Sequence, residues 1–141
     1  MIKGVTYILK NDSGVQSLLG LNRASTKYKV FPVICSQEEV PPYSVVRMTS
    51  KVLAHKGTGG SNRNKFEVEF TVSSYHKSYD EVDQLDYYVT QALVPYRGTA
   101  NSIAFDYIEF TGSSDDYTDS YDGLYIRNTT FRCCVSLSEL T

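Results

Sequence analysis

The sequence FEVEFTVSSYHKSYDE at residues 66–81 places a strand pattern directly before the start of a helix. Its first seven residues alternate between apolar and polar side chains, which predicts a strand with one face turned toward a core. The apolar face of this strand carries Phe66, Val68, Phe70 and Val72. Ser78, followed three residues later by Glu81, forms a capping-box pattern and predicts the first turn of a helix. A sheet covered by an amphipathic helix is therefore expected.

The helix predicted after Ser78 has a single apolar stripe, so it is expected to pack against the sheet. The stripe consists of Val82, Leu85, Val89, Ala92 and Leu93. Asp80 and Glu81 favour the positive end of the helix dipole, and Pro95 follows the predicted end of the helix.

A second helical pattern covers residues 2–19 and breaks at residues 11–14. Asp12 or Ser13 is expected to cap the shorter helix after the break, and Gly20 is expected to end it.

Further strands and the segments between them follow from the same patterns. Strands are predicted at residues 28–34, 43–55, 103–110 and 124–137. Pro32 confines the first of them to an edge or a bulge. In residues 43–55, the face with Val46, Met48 and Val52 is the more apolar and is expected to point inward. Residues 56–65 form a glycine-rich loop and residues 111–122 an acidic excursion. The elements predict an α+β fold in a single domain, a mostly antiparallel central β-sheet with two or three helices packed on one face.

Composition limits the classes of function. The 141 residues include 41% hydrophobic and 21% charged side chains, which is typical of one globular domain. The net charge of −2 provides no electrostatic footprint for nucleic-acid binding. The sequence has neither a secretory leader pattern nor an apolar run long enough to cross a bilayer, so we expect a protein that is soluble at synthesis.

The cysteines and tyrosines carry weaker signals. Cys35, Cys133 and Cys134 are odd in number and lack the spacing of metal ligands. Neighbouring cysteines on a strand point to opposite faces, so reduced and partly buried thiols are expected. The 12 tyrosines, against 6 phenylalanines and no tryptophan, suit either an interaction surface or ordinary strand positions.

No catalytic or metal constellation emerges from the motifs. His55 and His76 lie at strand ends without acidic or cysteine partners at ligand spacing. Residues 57–60 resemble a phosphate loop, but the Lys-Ser/Thr pair and the following helix are missing. A flexible hairpin tip with positive charge from Lys56, Arg63 and Lys65 is expected instead. The sequence predicts no cofactor and no enzymatic activity.

Four aspartates precede Gly123 in the acidic excursion. They are Asp115, Asp116, Asp119 and Asp122. Their order does not fit an EF-hand, which needs Gly at the sixth and Glu at the twelfth position, so we expect a solvated acidic loop rather than a metal site. If this loop meets a positive patch on another subunit, its role is electrostatic registration.

The order of these elements resembles the tail-completion proteins of long-tailed bacteriophages, the tail-terminator or head-to-tail joining family. The resemblance is carried by four features in series: the N-terminal helix with its Asp12-Ser13-Gly14-Val15 break, the extended Val40-Pro41-Pro42-Tyr43 before a long strand, the strand-to-helix step at residues 68–93, and the ending from Ile108 through Tyr121-Asp122-Gly123-Leu124-Tyr125. The glycine-rich loop and the aspartate-rich insertion are departures from the family pattern.

The resemblance implies one tail-terminator-like domain over residues 1–141 and a function in virion assembly. Such a protein forms a homo-oligomeric ring of about six subunits, caps the tail tube, ends tube polymerisation, and offers the surface that joins the tail to the head connector or adaptor protein in the neck. DNA passes through the lumen without specific binding, no membrane is involved, and assembly takes place in the host cytoplasm. Two alternatives remain: another neck or head-completion adaptor ring, and a small ligand-binding α+β domain.

Interface residues are expected in two places. The glycine-rich loop contributes Lys56, Gly57, Gly59, Gly60, Arg63 and Lys65 at an axial or lumen-facing position. The acidic loop contributes Asp115, Asp116, Asp119 and Asp122, either as the complement of the first or as a lining that repels DNA.

Overall fold

The computed structural model describes residues 1–19, 28–32, 41–53, 65–94, 96–101, 103–119 and 123–136. Within these ranges there are three helices: α1 (Ile2–Lys10), α2 (Ser13–Leu18) and α3 (Tyr79–Leu93). The strands are β1 (Val30–Pro32), β2 (Tyr43–Leu53), β3 (Lys65–His76), β4 (Gly98–Ala100), β5 (Ile103–Thr118) and β6 (Leu124–Ser136). The predicted single-domain α+β fold is confirmed.

The described strands form one sheet in the order β1-β2-β3-β6-β5-β4. Each pair is antiparallel except β1 and β2, which are parallel. The central pair, β3 and β6, runs in unbroken register from Lys65 opposite Ser136 to His76 opposite Tyr125. Pro32 lies on the edge strand β1, as the missing N–H of proline requires.

The core lies between the helices and one face of this sheet. Val68, Phe70 and Val72 of β3 are almost fully buried on that face, and the ring of Phe70 stacks on that of Phe131 at 5.5 Å between centroids. Val5 and Leu9 of α1 belong to the same cluster, together with Leu85, Val89 and Leu93 of the predicted α3 stripe. The apolar faces predicted from the strand and helix periodicities therefore pack together in one core.

The start of α3 lies where it was predicted, but the capping box does not form. Ser78 is the N-cap residue and its side chain makes no capping hydrogen bond. The N–H of Ser78 instead donates to Nδ1 of His76 at 3.4 Å, and Nε2 of His76 lies 2.9 Å from the Glu81 carboxylate. In a capping box the Glu81 side chain would accept the hydrogen bond from the N–H of Ser78. Because β3 ends at His76, two residues before Ser78, the imidazole of His76 accepts that hydrogen bond instead.

The N-terminal break is as expected. The carboxylate of Asp12 accepts a hydrogen bond from the N–H of Val15 at 3.0 Å and caps α2. Gly20 and Pro95, which were predicted to mark helix ends, lie outside the described residues.

The alternation predicted for residues 43–55 is wrong beyond Met48. The register between β2 and β3 shifts between Met48 and Ser50, so the bulge moves later side chains to the other face. Val52, beyond the bulge, therefore lies opposite Glu67 and is 45% exposed. Val46 is buried as predicted, whereas Met48, which precedes the bulge and lies opposite Phe70, is 47% exposed.

The acidic excursion is a second correction. Residues 111–118 continue β5 rather than leaving the sheet, because β6 offers partners from Thr130 to Leu124. The short strand β4 was not predicted; it pairs with the start of β5.

Candidate interaction surface at one end of the sheet

Arg127 on β6 is the centre of the main polar cluster on the helix side of the sheet. It lies opposite Asp115 of β5 in the strand register, and its Nε donates to that carboxylate. Its Nη1 donates to Asp83 at 3.0 Å and to Asp86 at 3.3 Å, both on α3. One guanidinium therefore joins α3 to two strands.

The Arg127 cluster is largely shielded from water. The side chain of Arg127 is 11% exposed and that of Asp86 is 14% exposed. Asp86 also accepts a hydrogen bond from the hydroxyl of Thr129. Burial lowers the pKa of Arg127, but hydrogen bonds to Asp115 and Asp83 and the charge of Asp86 outweigh it, so the net shift is upward.

Three exposed tyrosines lie beside this cluster, and we call Tyr79, Tyr117 and Tyr125 the tyrosine patch. The ring of Tyr125 is 5.7 Å from that of Tyr79 and 5.3 Å from that of Tyr117, both edge to face. The three residues are 46%, 53% and 37% exposed in the order Tyr79, Tyr117, Tyr125. Aromatic rings that pack on one another and still face solvent are typical of interaction surfaces.

The tyrosine patch is anchored to the sheet. The Tyr79 hydroxyl donates to Asp115 at 3.2 Å and accepts from Nη2 of Arg127 at 3.3 Å. The guanidinium also lies over the Tyr79 ring, 5.8 Å from its centroid. Gly123, at a φ of +107°, brings the backbone so close to Tyr117 that an added Cβ would be 2.6 Å from the hydroxyl oxygen. The rings are thus held in place before any partner arrives.

Negative charge surrounds the tyrosine patch. Among the described residues of α3 and the end of β5, the exposed acids near it are Asp80, Glu81, Asp83, Asp115 and Asp119. One guanidinium cannot neutralise the three carboxylates that it contacts, so this end of the sheet is acidic. We call it, together with the tyrosine patch, the acidic-aromatic end.

The predicted interface residues are divided between two ends of the sheet. Asp115 lies in the Arg127 cluster, and Asp119 is exposed just beyond β5. Asp116 points to the opposite face of β5 from Asp115 and accepts a hydrogen bond from the N–H of Tyr117 at 2.8 Å. Lys65, at the start of β3, pairs with Asp106 at 2.6 Å. The other predicted residues, Lys56, Gly57, Gly59, Gly60, Arg63 and Asp122, lie outside the described residues.

Lys65 and Asp115 do not meet within one chain. Arg127, the strand partner of Asp115, pairs with Ser74 of β3, which is nine positions from Lys65. At roughly 3.3 Å per strand residue, this separation is about 30 Å.

The face of the sheet away from the helices carries polar cross-strand pairs on β3, β5 and β6. Ser73 donates to Asn128 at 2.6 Å, the hydroxyls of Thr71 and Thr130 lie 3.3 Å apart, and Arg132 pairs with Glu109 at 2.6 Å. In each case the side chain forms its hydrogen bond or ion pair with a neighbour on the adjacent strand.

A cleft of about 400 Å³ opens beside α1 and α2. Its lining includes the described residues Lys3, Thr6, Tyr7, Lys10, Asn11, Gln16, Tyr28 and Asn101. Among these described lining residues the polar groups are amines, hydroxyls and amides.

The described histidine and cysteines have structural surroundings. Burial lowers the pKa of His76, and the charge of Glu81 opposes this shift. Cys133 and Cys134 are free and buried, and burial raises the pKa of Cys133 to about 12. Cys35 and His55 lie outside the described ranges. Within those ranges, no three His, Cys, Asp or Glu side chains are grouped to hold a metal ion, and none of the helices is long and apolar enough to cross a membrane.

Comparison with known proteins defines the class of fold. The chain matches no protein-family model and no curated relative. Among solved structures, it is similar to a chain of the virion of a native gene transfer agent particle, with a TM-score of 0.67 and 15% sequence identity. The similarity covers 96% of this chain and 94% of that chain. The two chains therefore share one fold over nearly their whole length.

Proposed function

We propose that this chain is a structural protein of a phage-type virion, a tail terminator that caps the tail tube as a ring. The observation that carries the proposal is the fold similarity to a virion chain, which extends over nearly the full length of both proteins. The order of sequence features resembles the tail-terminator family independently of that similarity. In this role the protein ends tube polymerisation and presents the surface to which the head connector or adaptor protein binds.

The proposed mechanism is association, without catalysis or a cofactor. A ring subunit needs two different lateral surfaces, because head-to-tail contacts close only when the rotation between neighbours closes. The basic sequence at residues 56–65 and the acidic-aromatic end carry opposite charge and are proposed as two such surfaces. Lys65, at the start of β3, lies about 30 Å along the sheet from the acidic-aromatic end, which favours contact between neighbouring subunits over contact within one.

Passage of DNA through the ring requires a lumen to which DNA does not adhere. Affinity for DNA rises with the number of phosphates that Lys and Arg neutralise. The chain has 16 acidic against 14 basic residues, and acidic side chains at the lumen repel the phosphate backbone. Residues 1–141 form one domain in this proposal, located at the tail end of the neck after assembly in the host cytoplasm.

The first test is the native mass of the purified chain across a concentration series, with electron microscopy of large species. A closed ring of about six times the 15.9 kDa chain mass supports the proposal. Rings are then mixed separately with tail tubes and with head connectors. Binding to tube ends that stops tube growth supports a terminator, whereas binding to connectors alone would favour an adaptor ring. A chain that binds neither would contradict both.

A deletion tests the basic segment directly. A chain without residues 57–64 is expected to remain folded, because β2 and β3 pair outside the deletion, yet to fail in completing tails. A chain in which the same residues are replaced by glycine and serine of equal length separates loop length from charge. Normal infectious particles from the deletion would refute a role for this segment.

A further inference from the structure

We infer that the acidic-aromatic end receives residues 56–65 of a second copy of the chain, so that copies associate head to tail. The biological purpose of this contact rests on the proposed ring, but the contact itself is argued from the described surface, the charges and the reach of the chain.

The receiving surface is preorganised. Tyr125 packs edge to face against both Tyr79 and Tyr117, and Tyr79 is tied to Arg127 and Asp115 by hydrogen bonds. Fixed rings lose little side-chain entropy when a partner binds, which is why tyrosine is enriched among the residues that dominate binding energy. All three rings remain more than a third exposed in the single chain.

The charges of this surface fit a cationic segment. Asp80, Asp83 and Asp119 are exposed around the tyrosine patch, and tyrosine faces attract Lys and Arg by cation–π contact. In the sequence, residues 54–65 contain Lys56, Arg63 and Lys65 and no acidic residue. Lys65 already pairs with Asp106 within the chain, so Lys56 and Arg63 are the cations that this inference assigns to the contact.

The segment of the same chain cannot reach this surface. Residues 54–64 are anchored at both ends, because Leu53 and Lys65 belong to paired strands. Eleven residues at no more than about 3.6 Å each extend at most about 20 Å from their anchors when the segment folds back on itself. The acidic-aromatic end is about 30 Å away along the sheet. The partner is therefore another copy.

A contact between two different surfaces has a defined consequence for symmetry. It is heterologous, so it yields a closed ring or an open filament and never a two-fold dimer through the same patch. Because the charges are exposed, the association is also expected to weaken as salt is raised.

Charge reversal tests the contact. The variant K56E/R63E reverses two cations of the segment, and D80K/D119K reverses two acids of the receiving surface without touching the acids that bind Arg127. Each variant alone is expected to lose self-association at concentrations where the original chain forms large species. An equimolar mixture restores association, because each altered surface then meets an altered partner, and the chain with all four substitutions associates alone. Melting temperatures verify that every variant is folded.

Two further substitutions separate the rings from general surface effects. Y117S removes a ring of the tyrosine patch and is expected to weaken self-association by roughly tenfold or more. Y87S removes a ring of α3 that is 59% exposed and lies outside the patch, so its association is expected to stay within about twofold. K3E/R97E provides the matching control for loss of positive charge elsewhere.

The outcomes distinguish this inference from the proposed function. Rings that persist in both reversed variants, or an original chain that stays monomeric at its highest attainable concentration, overturn the inference. Restored association in the mixture supports it. If restored rings then fail to bind tail tubes or connectors, the head-to-tail contact stands and the proposed function is wrong.

Discussion

Nη1 of Arg127 on β6 lies 3.3 Å from the carboxylate of Asp86 on α3, and both side chains are almost buried. Removing one partner from such a pair leaves an uncompensated charge in a poorly hydrated place. Arg132, five residues along the same strand, makes the opposite kind of pair: it contacts Glu109 with both side chains 46% exposed. The two arginines thus offer a matched comparison within one strand.

We expect R127M to lower the free energy of unfolding by about 3 kcal/mol, because Asp86 is left buried without its cation. R132M is expected to change it by less than about 1 kcal/mol, since exposed ion pairs contribute little. Urea denaturation followed by circular dichroism measures both. Equal losses in the two variants would contradict the assignment of Arg127 as the buried link between α3 and the sheet.

The stacked Phe70 and Phe131 rings provide a second prediction. Phe70 is fully buried, so F70A is expected to cost about 3–5 kcal/mol through lost transfer energy and the cavity left behind. Phe110 also contacts Phe131 but is 49% exposed, and F110A is expected to cost about 1 kcal/mol. Thermal unfolding of both variants is the measurement. A larger loss for F110A would mean that the core is centred on β5.

Most elements were predictable because their patterns are local. The alternation at residues 66–72 and the stripe of α3 each depend on a few side chains and on one buried face. The bulge at Met48 and Ser50 has no comparable signal, because it depends on how β2 pairs with β3. The capping-box prediction failed for a related reason. The end of β3 brings His76 next to Ser78, where it competes with Glu81 for the N–H of Ser78, and the capping-box pattern takes no account of residues before the N-cap.

The site was predicted only in part. Asp115 was identified as an interaction residue, but as a free acid in a loop. A two-residue turn at the Asp-Gly pair of residues 122–123 would have placed Asp115 opposite Thr130, whereas the observed register places it opposite Arg127. The sequence therefore carried no usable signal for this pairing. The only sequence signal for the tyrosine patch was the number of tyrosines. The contact between Tyr79 and Tyr125 joins a helix to a strand 46 residues later in the chain, so no local pattern predicts it.

The pKa of His76 gives a prediction about pH. Burial lowers this pKa below its ordinary value of 6.5, and the Glu81 carboxylate raises it. The folded chain therefore favours the neutral imidazole, so the contribution of His76 is full above about pH 6.5 and declines as the pH falls through the lowered pKa. NMR titration is expected to place the pKa of His76 below 6.5.

Substitution of Glu81 makes the same prediction sharper. E81Q removes the charge that raises the pKa of His76, so the midpoint is expected to fall further. D80N is the control, since Asp80 is the neighbouring acid in the first turn of α3 and makes no contact with His76 among the described interactions. His55 is replaced by glutamine to leave one imidazole signal. A rise of the midpoint in E81Q would refute the proposed pairing.

Gly123 allows a test of two separate effects at one position. Its φ of +107° is unfavourable for any other residue, and a Cβ would also press on the Tyr117 hydroxyl at 2.6 Å. G123A is expected to destabilise the chain by about 1–3 kcal/mol. The double variant G123A/Y117F removes the oxygen and should recover the steric part, leaving the backbone part. G112A, where an added Cβ meets nothing within 4 Å, is expected to stay within about 0.5 kcal/mol. Full recovery of stability in G123A/Y117F would mean that the backbone strain at residue 123 is negligible.

Because Gly123 positions Tyr117, G123A should also weaken self-association more than its loss of stability explains. Sedimentation well below the unfolding temperature separates the weaker association from the loss of stability.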